Sequence, residues 1–285
     1  MNKRKDVNKY LFTIPVIIYS ILLILLPLIY IFIISFYKSD SYGGMDQVLT
    51  LNNYAEIFNI TYIGIMVKSA LIGLITTLIC LLISYPFAIA LMSKKETTRN
   101  LIIKLVMVPF LMNSLIRTYG WIVLLRKNGI INVALLGLGL TSKPLPLMYN
   151  TFGIIVGMVY TLLPFMILPV FSAVSKVDKH VIEAAYDLGA SKLSVFNKIY
   201  LPLTKSGAFN GSIMVFMPAI GYFFIADILG GGKVMIIGNL IKNQFLTARN
   251  WPFGAAISIF LIAITLLLVK VYKKMGGQMD ELGGA

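Results

Sequence analysis

Two ionisable side chains stand out inside apolar stretches of the sequence, and their neighbours indicate what they could bind. Asp227 follows the aromatic residues Tyr222 and Phe223 in the segment GYFFIADILGGG. Arg117 interrupts another apolar run, together with Asn113. A charge inside a membrane is costly, so such residues usually serve a function and have a partner. A carboxylate beside aromatic rings is suited to an ammonium group, because ring faces attract a cation by about 0.5–2 kcal/mol.

Structural roles for these residues stay open at this point. Asp227 could instead cap the end of its helix or pair with Arg117 or Lys233. Arg117 would repel a cationic substrate, so we interpret it as a structural or gating residue. Tyr160, in a further apolar run, could line a cavity, although a tyrosine in a span more often packs or anchors at the interface. The candidate residues of a substrate pathway are Asp227, Tyr222, Phe223, Tyr160 and Asn113.

The residue types that catalysis needs are sparse in this sequence. His180 is the only histidine, and no carboxylate–serine arrangement accompanies it. Cys80 is the only cysteine, so it has no partner for an intrachain disulfide or a metal site. The segment DILGGGKV comes nearest to a P-loop, but Asp227 stands at its first glycine position and Val234 at its last. We therefore expect no catalytic residue, no metal and no ATP site in this chain.

The composition indicates a membrane protein with several spans. Of the 285 residues, 58% are hydrophobic and 13% are charged, whereas a soluble domain is about 45–50% apolar and about 25% charged. A helix needs about 20 apolar residues to cross the bilayer. Two stretches, 130–140 and 234–246, are too short and are predicted to be interfacial or re-entrant. Six runs are long enough, namely 11–36, 65–92, 101–125, 150–172, 206–228 and 253–272.

Basic residues near the span ends predict the orientation of the chain. The first run is too long for a cleavable signal peptide and is predicted to be an uncleaved span. If the N-terminus is cytoplasmic, the inner segments hold 16 lysine and arginine residues and the outer segments hold 8. Because positive charge prefers the cytoplasmic side, both termini are predicted to be cytoplasmic. The formal charge of +14 is then largely a topology signal, and nucleic-acid binding is not expected.

A polar, helix-forming segment lies between the fourth and fifth runs, on the predicted cytoplasmic side. The sequence SKVD at 175–178 fits a capping box, in which a hydroxyl precedes a carboxylate by three residues. Gly189 stands where a helix would end in a left-handed residue, and Ser191 can cap a second helix that stops at Leu201-Pro202. Such a helix–turn–helix is suited to docking in a protein groove or to lying on lipid headgroups. One apolar face of the first helix would hold Val181, Ile182, Ala184, Ala185 and Leu188.

The polar segment resembles the EAA motif of ABC-importer permeases. The matching positions have fixed spacing, and they are Glu183, Ala184, Ala185, Gly189, Ile199, Leu201 and Pro202. The resemblance implies that residues 173–205 form a coupling loop, which inserts into a cleft of a separate ATPase subunit. The loop would carry nucleotide-driven closure to the membrane helices. ATP and its Mg²⁺ would bind to that partner, and this chain would hold no cofactor.

Ordered blocks of sequence extend the resemblance over nearly the whole chain. They are TLNNY (50–54), PFLMNSLIRTYGW (109–121), LLPFMILP (162–169), IEAAYDLGASKL (182–193), IGNLIKNQFL (237–246) and NWPFGAA (250–256). These blocks resemble the B-type permease subunits of spermidine/putrescine importers. The resemblance implies an all-α, type I importer fold of six transmembrane helices, in one permease domain (1–285) of the bacterial inner membrane. It also implies membrane lipid, a sister permease, ATPase subunits and an extracytoplasmic polyamine-binding protein as partners.

Other functions fit parts of the sequence. The EAA motif is shared across cargoes, so an iron complex, thiamine or an oxyanion is an alternative to a polyamine. An ion-coupled secondary carrier often shows inverted repeats and more carboxylates within the membrane. A membrane enzyme would need a catalytic constellation on the predicted spans. We therefore expect a transport subunit without enzymatic activity, which forms half of a translocation pathway.

Overall fold

The computed structural model describes residues 13–40 and 43–274, and most of these residues are helical. Residues 11 and 12 of the first predicted span lie outside this part, as do the basic residues of the N-terminus. Contacts divide the chain into two compact units. One holds the described residues up to Ile63 with Leu240–Leu266, and the other holds Gly64–Asn239 with the described residues from Leu267 onwards. That residues 1–285 form a single permease domain stays a prediction.

The first unit begins with a long apolar helix and a small hairpin. The elements in chain order are α1 (Thr13–Ile34), β1 (Tyr37–Ser39), β2 (Met45–Leu49) and α2 (Asn52–Ile57). The two strands pair antiparallel, and Ile21–Leu25 within α1 is π-helical. The buried Asn53 side chain donates to the carbonyls of Ser35 and Tyr37 at 2.9 and 2.8 Å, which ties α2 to the hairpin. The sequence did not predict this hairpin, because its strands are too short to show an alternating pattern.

The remaining elements within the described residues are all helical. In chain order they are α3 (Ile60–Met92), α4 (Glu96–Met107), α5 (Ser114–Leu125), α6 (Ile130–Gly137), α7 (Thr151–Ser175), α8 (Lys179–Asp187), α9 (Lys192–Val195), α10 (Leu201–Leu203), α11 (Lys205–Gly221), α12 (Phe223–Gly230), α13 (Ile237–Leu246) and α14 (Trp251–Lys274). A 3₁₀ turn at Val108–Leu111 follows α4, and a π-helix at Phe196–Tyr200 joins α9 to α10. Helices α6 and α13 lie in the two stretches predicted to be interfacial or re-entrant, a location that stays a prediction.

Within the described residues, four helices are long and apolar enough to cross a membrane by themselves. They are Thr13–Ile34, Ile60–Met92, Thr151–Ser175 and Trp251–Lys270. The third and fifth predicted runs are each bent rather than continuous helices. The third is bent by 95° between Glu96–Leu111 and Ser114–Gly137, and the fifth by 62° between Lys205–Gly221 and Phe223–Gly230. Six spans result if each bent pair is one span, and that count stays a prediction.

Local chemistry explains both bends. Pro109 lacks a backbone N–H, and it stands in the first turn of the 3₁₀ segment that ends the helical course of α4. The Asn113 side chain then accepts a hydrogen bond from the N–H of Leu115 at 2.8 Å, which starts α5 in a new direction. In the fifth run, Tyr222 follows the proline-containing α11 and has a ψ of 66°, outside the helical region. The chain therefore turns at Tyr222 before α12 begins.

Small residues allow α7 and α11 to pack closely in the second unit. A Cβ atom on Gly207 would lie 2.6 Å from the carbonyl oxygen of Pro169, and Gly211 contacts the same helix. Gly157 in α7 faces α12, where a Cβ atom would lie 3.1 Å from Ile225. Membrane helices commonly use small residues for such approaches, because lipid provides no hydrophobic drive for helix association.

Candidate functional site

The polar segment forms a helix, a turn and a second helix, as the sequence predicts. Asp178 caps the start of helix α8, and its carboxylate accepts a hydrogen bond from the N–H of His180 at 2.9 Å. The predicted capping box is wrong, because Ser175 belongs to α7 and its hydroxyl donates to the carbonyl of Ser172. An aspartate cap serves the same purpose as the predicted serine, since either oxygen can accept from a free N–H at a helix start.

Gly189 ends α8 in the left-handed conformation predicted for it, with a φ of 80°. Its N–H donates to the carbonyl of Tyr186 at 2.9 Å, and the N–H of Ala190 donates to the carbonyl of Ala185 at 3.0 Å. These two bonds form the Schellman arrangement, which satisfies carbonyls at a helix C-terminus. A Cβ atom at Gly189 would meet no atom within 4 Å. The left-handed backbone conformation at this position, rather than a lack of space for a side chain, therefore favours glycine.

The apolar residues of α8 form two faces where the sequence predicted one. Ile182 and Ala185 pack against the hydrophobic core of the second unit. The others are exposed: Leu188 is 89% exposed, and Leu193 in the next helix is 69% exposed. The two sets separate because residues 181, 184 and 188 follow helical spacing along one stripe, displaced from that of 182 and 185. The exposed residues are called the outer ridge below, and they are Val181, Ala184, Leu188 and Leu193.

Glu183, the first residue of the EAA motif, lies on the surface. Its side chain is 67% exposed, and its carboxylate lies 3.5 Å from Nδ1 of His180, which is 88% exposed. An exposed pair of this kind contributes little to stability. The fold of α8 therefore does not account for a glutamate at this position, and its coupling role stays a prediction.

The second helix begins as predicted and ends later than predicted. The Ser191 hydroxyl accepts a hydrogen bond from the N–H of Ser194 at 3.2 Å. Helix α9 then continues through the π-helix into α10, so it does not stop at Leu201-Pro202. Pro202 stands in the first turn of α10, directly after the π-helix, and it has no N–H to donate to a preceding carbonyl. Ile199 is half-buried, whereas Leu201 and Pro202 are exposed.

A buried contact ties this segment to the long helix α3. The Tyr85 hydroxyl lies 2.9 Å from Oγ1 of Thr204, and this threonine hydroxyl donates to the carbonyl of Tyr200 at 2.6 Å. Since the threonine hydroxyl has one hydrogen, Tyr85 is the donor in its bond to Thr204. The Tyr85 ring packs edge-on against Phe196, with ring centres 5.3 Å apart. Burial raises the pKa of the Tyr200 hydroxyl, so that side chain stays neutral.

Asp227 lies in α12, beyond the bend of the fifth run. Its Oδ1 accepts a hydrogen bond from the Asn239 side chain at 2.6 Å, and the same amide nitrogen donates to the carbonyl of Phe223 at 3.0 Å. Asn239 is 4% exposed and Asp227 is half-buried, so the bridge is partly buried. The Phe223 side chain is 40% exposed, and Tyr222 is half-buried at the bend. The sequence did not predict the contact with Asn239.

Arg117 is buried in α5 among aromatic rings, with 9% of its surface exposed. Its guanidinium carbon lies 5.0 Å from the ring centre of Phe110 and 5.9 Å from that of Tyr160. The Trp121 ring packs edge-on against Tyr160, with centres 5.4 Å apart. Asn113, a candidate pathway residue, is exposed and caps α5.

The structure places the candidate pathway residues in two neighbouring groups. Helices α5 and α12, which carry the central charge of each group, pack directly against each other. The first group holds Asn113 and Tyr160 beside Arg117, and the second holds Tyr222, Phe223 and Asp227.

Sequence reasoning missed several residues that shape these groups. Trp121 follows Arg117 by four residues, the spacing of neighbours on a helix, so this signal was present. Phe110 lies across the bend from Arg117, and its contact depends on that bend. Asn239 gave no signal, because its bridge to Asp227 joins two separate helices of the folded chain.

The sequence is similar to known transport proteins along most of its length. The family described as binding-protein-dependent transport system inner membrane component matches residues 7–275. The spermidine/putrescine transport system permease protein PotB of Haemophilus influenzae is 42% identical over 267 residues, which cover 93% of each chain. The protein of the same name from Escherichia coli K12 is 43% identical over 252 residues, which cover 88% of this chain and 92% of that one.

The fold is similar to that of solved importers. A chain of a bacterial ABC transporter involved in the import of the acidic polysaccharide alginate matches with a TM-score of 0.76. The match covers 95% of this chain and 96% of that one at 15% identity. A second alginate transporter structure, in complex with a pentasaccharide-bound periplasmic protein, also matches with a TM-score of 0.76 and covers 94% of its chain. At such low identity the likeness concerns the fold alone.

Proposed function

The chain belongs to the family of binding-protein-dependent transport system inner membrane components, and we propose that it is the permease subunit of an ATP-driven importer for polyamines. The observation that carries this proposal is the 42% identity to a spermidine/putrescine permease over 93% of the chain. The protein is accordingly a transport subunit that crosses the inner membrane several times, rather than an enzyme. Its termini are proposed to lie in the cytoplasm.

Three kinds of partner complete the transporter. ATPase subunits bind ATP with Mg²⁺ and hydrolyse it, and an extracytoplasmic binding protein delivers the polyamine. A sister permease supplies the other half of the pathway. The family description specifies dependence on a binding protein, and it therefore supports the extracytoplasmic binding protein as a partner. The similar fold of a transporter that was solved with its periplasmic protein supports it further.

Coupling to the ATPase is proposed to run through residues 173–205. The outer ridge inserts into a cleft of the ATPase subunit, and the left-handed turn at Gly189 sets the angle between α8 and α9. The exposure of Leu188 and Leu193, 89% and 69%, supports this docking, because burial of apolar surface stabilises a complex by about 25 cal/mol per Å². The proposed coupling residues are Glu183, Ala184, Ala185, Gly189, Ile199, Leu201 and Pro202.

The cargo is proposed to pass the group around Asp227. The half-buried carboxylate lies near exposed aromatic surface, and Asn239 fixes its orientation by the 2.6 Å hydrogen bond. A carboxylate in this setting can pair with an ammonium group while ring faces of Tyr222 and Phe223 attract the same cation. Tyr160 and Asn113 are proposed to line the neighbouring part of the pathway.

The test of cargo is labelled spermidine uptake in cells that lack their own polyamine importers and express this chain with its partner subunits. Saturable, ATP-dependent uptake is expected. Asp227→Asn removes the charge while its side-chain oxygen can still accept from Asn239, so assembly is expected to persist while uptake falls. Asp46→Asn, in the exposed strand β2, is the matched control and should leave uptake unchanged.

Other cargoes give a different outcome in the same experiment. An assembled complex that hydrolyses ATP but takes up no spermidine would retain the importer permease and reject the polyamine. Uptake driven by an ion gradient without ATP would instead indicate a secondary carrier. Normal spermidine uptake by the Asp227→Asn variant would remove Asp227 from the pathway.

A further inference from the structure

Arg117 is a charged residue whose surroundings leave part of its chemistry unused. The side chain is 9% exposed, and its Nε and Nη1 atoms have no hydrogen-bond acceptor among the described residues. Unmade hydrogen bonds of a buried charged group are costly, and a charge inside a membrane adds to this cost. The fold therefore keeps a guanidinium at this place without the acceptors that a structural arginine would have.

Two aromatic rings lie close to the guanidinium. The Phe110 ring centre lies 5.0 Å from the guanidinium carbon, and the Tyr160 ring centre lies 5.9 Å from it. Both rings are held by aromatic neighbours, since Phe165 packs edge-on against Phe110 at 5.0 Å and Trp121 against Tyr160 at 5.4 Å. Rings within about 6 Å of a cation attract it through their faces. Phe110 and Tyr160 thus form a built cation site, called the ring site below.

We propose that the ring site binds an alkylammonium group of the cargo and that Arg117 fills this site while no cargo is present. The proposal rests on the proposed polyamine function and adds a second cation site to the one at Asp227. An alkylammonium offers the ring faces the same positive charge as the guanidinium. Tyr160 is 36% exposed, so its side chain is not enclosed by the rest of this chain.

Exchange between the two cations is favoured by the unused donors of Arg117. When the guanidinium leaves the rings, it loses no hydrogen bond at Nε or Nη1, and it can gain acceptors elsewhere. The cargo ammonium replaces the lost charge at the ring faces. Because two cations in one desolvated site repel each other, the ring site holds either Arg117 or the cargo. Arg117 therefore excludes free cations until the transporter is loaded.

If Arg117 instead pairs with a carboxylate of the sister permease, removal of its guanidinium would have a different effect. A carboxylate of the sister permease could accept from Nε and Nη1 in the assembled transporter. In that case removal of the guanidinium would weaken assembly, and its effect would not depend on the rings. The ring-site proposal predicts instead that the effect of removing Arg117 depends on the Tyr160 ring.

The experiment uses the complete transporter in proteoliposomes, supplied with ATP but without the binding protein, and measures uptake of labelled spermidine at millimolar concentration. Arg117→Met removes the cation and keeps a long side chain. It is expected to raise binding-protein-independent uptake about 5-fold to 30-fold, the factor that a cation–ring interaction in a desolvated site is worth. Arg117→Lys keeps a cation and is expected to raise uptake less. Arg126→Met, exposed at the end of the same helix, is the matched control and should give no increase.

The dependence on the rings is tested by a second substitution. In the Arg117→Met background, Tyr160→Leu is expected to abolish the increase, whereas Tyr160→Phe keeps the ring face and should retain it. An increase that survives Tyr160→Leu overturns the proposal, as does no increase in an Arg117→Met transporter that assembles normally. If Arg117→Met prevents assembly, Tyr160→Leu and Tyr160→Phe are instead compared in a transporter that retains Arg117, and spermidine uptake is measured with the binding protein present. There, uptake that falls with Tyr160→Leu but not with Tyr160→Phe supports the ring site, and equal uptake by both refutes it.

Failure of the polyamine assignment is separable from failure of the ring site. If spermidine is not the cargo, the unsubstituted transporter takes up none even with the binding protein present. If only the ring site is wrong, that transporter imports spermidine normally while the Arg117 and Tyr160 variants show no mutual dependence.

Discussion

Replacement of Gly189 tests whether the left-handed end of α8 is needed for coupling. The change Gly189→Ala places a residue with a Cβ atom at a φ of 80°. Because that Cβ atom would meet nothing within 4 Å, the penalty within this chain is backbone strain alone. For an L-residue in the left-handed region this strain is about 1–2 kcal/mol. The structure therefore predicts a local penalty without a steric clash.

The strain acts on the two hydrogen bonds that close α8. Relief requires the turn to open, which releases the N–H of Ala190 from the carbonyl of Ala185 and changes the angle between α8 and α9. A penalty of about 1–2 kcal/mol shifts the population of the closed turn about 5-fold to 30-fold. Gly189→Asn is the matched control, because asparagine is larger than alanine but enters the left-handed region more readily.

The assay measures spermidine uptake and ATP hydrolysis by the reconstituted transporter and compares their ratio. We expect uptake per ATP to be highest with glycine, lower with asparagine and lowest with alanine, while membrane insertion is unchanged. A transporter in which asparagine is worse than alanine would refute the conformational argument, since side-chain volume in the partner's cleft would then decide. Normal uptake by a bulkier variant such as Gly189→Val would remove Gly189 from the coupling residues.

Two further predictions concern contacts inside the second unit. Tyr85→Phe removes the hydroxyl that donates to Thr204, and it is expected to cost about 0.5–1.5 kcal/mol of stability and to lower uptake per ATP. Tyr62→Phe, which loses only an exposed contact of 3.5 Å, is its control, and equal uptake per ATP by the two variants would contradict the prediction. Gly207→Ala places a Cβ atom 2.6 Å from a backbone oxygen and is expected to cost about 1–3 kcal/mol, measured by thermal unfolding in detergent. Gly120→Ala meets no atom within 4 Å and should not lower the unfolding midpoint, so equal midpoints for both glycine variants would refute the close helix approach.

The sequence predicted those features that a few consecutive residues determine. The end of α8 at Gly189 and the cap of α9 at Ser191 depend on backbone conformation and on one nearby oxygen, and both predictions are confirmed. The cap of α8 was placed three residues too early, because Ser175 and Asp178 both fit a helix start and only the folded chain shows which one stands there. The membrane class followed from run length and hydropathy, which no tertiary contact alters.

The features that the sequence did not predict depend on contacts between segments that are distant along the chain, or on competing structural signals within one stretch of sequence. The polar residues at Asn113 and Arg117 interrupt the apolar run 101–125, but the sequence does not show that the chain bends by 95° there. The hydrogen bond between Asn239 and Asp227 joins α13 to α12, which only the folded chain brings together. The exposed stripe on α8 could not be separated from its packed stripe, because both consist of apolar residues and only the core decides which side is buried.

Helix α7 connects the two proposed sites within the second unit. Tyr160 of the ring site lies on this helix, and its last residue, Ser175, precedes the cap of α8 by three residues. The distance along the helix between Tyr160 and Ser175 is about 22 Å at 1.5 Å per residue. Pro164 and Pro169 lie between them, and each removes a backbone hydrogen bond from the helix. Gly207 brings α11 against the carbonyl of Pro169, so α11 braces one of the turns that the prolines weaken. If the proposed ATPase displaces α8, the displacement would reach Tyr160 along a helix whose stiffness depends on this close packing, so loss of Gly207 is predicted to impair coupling as well as stability.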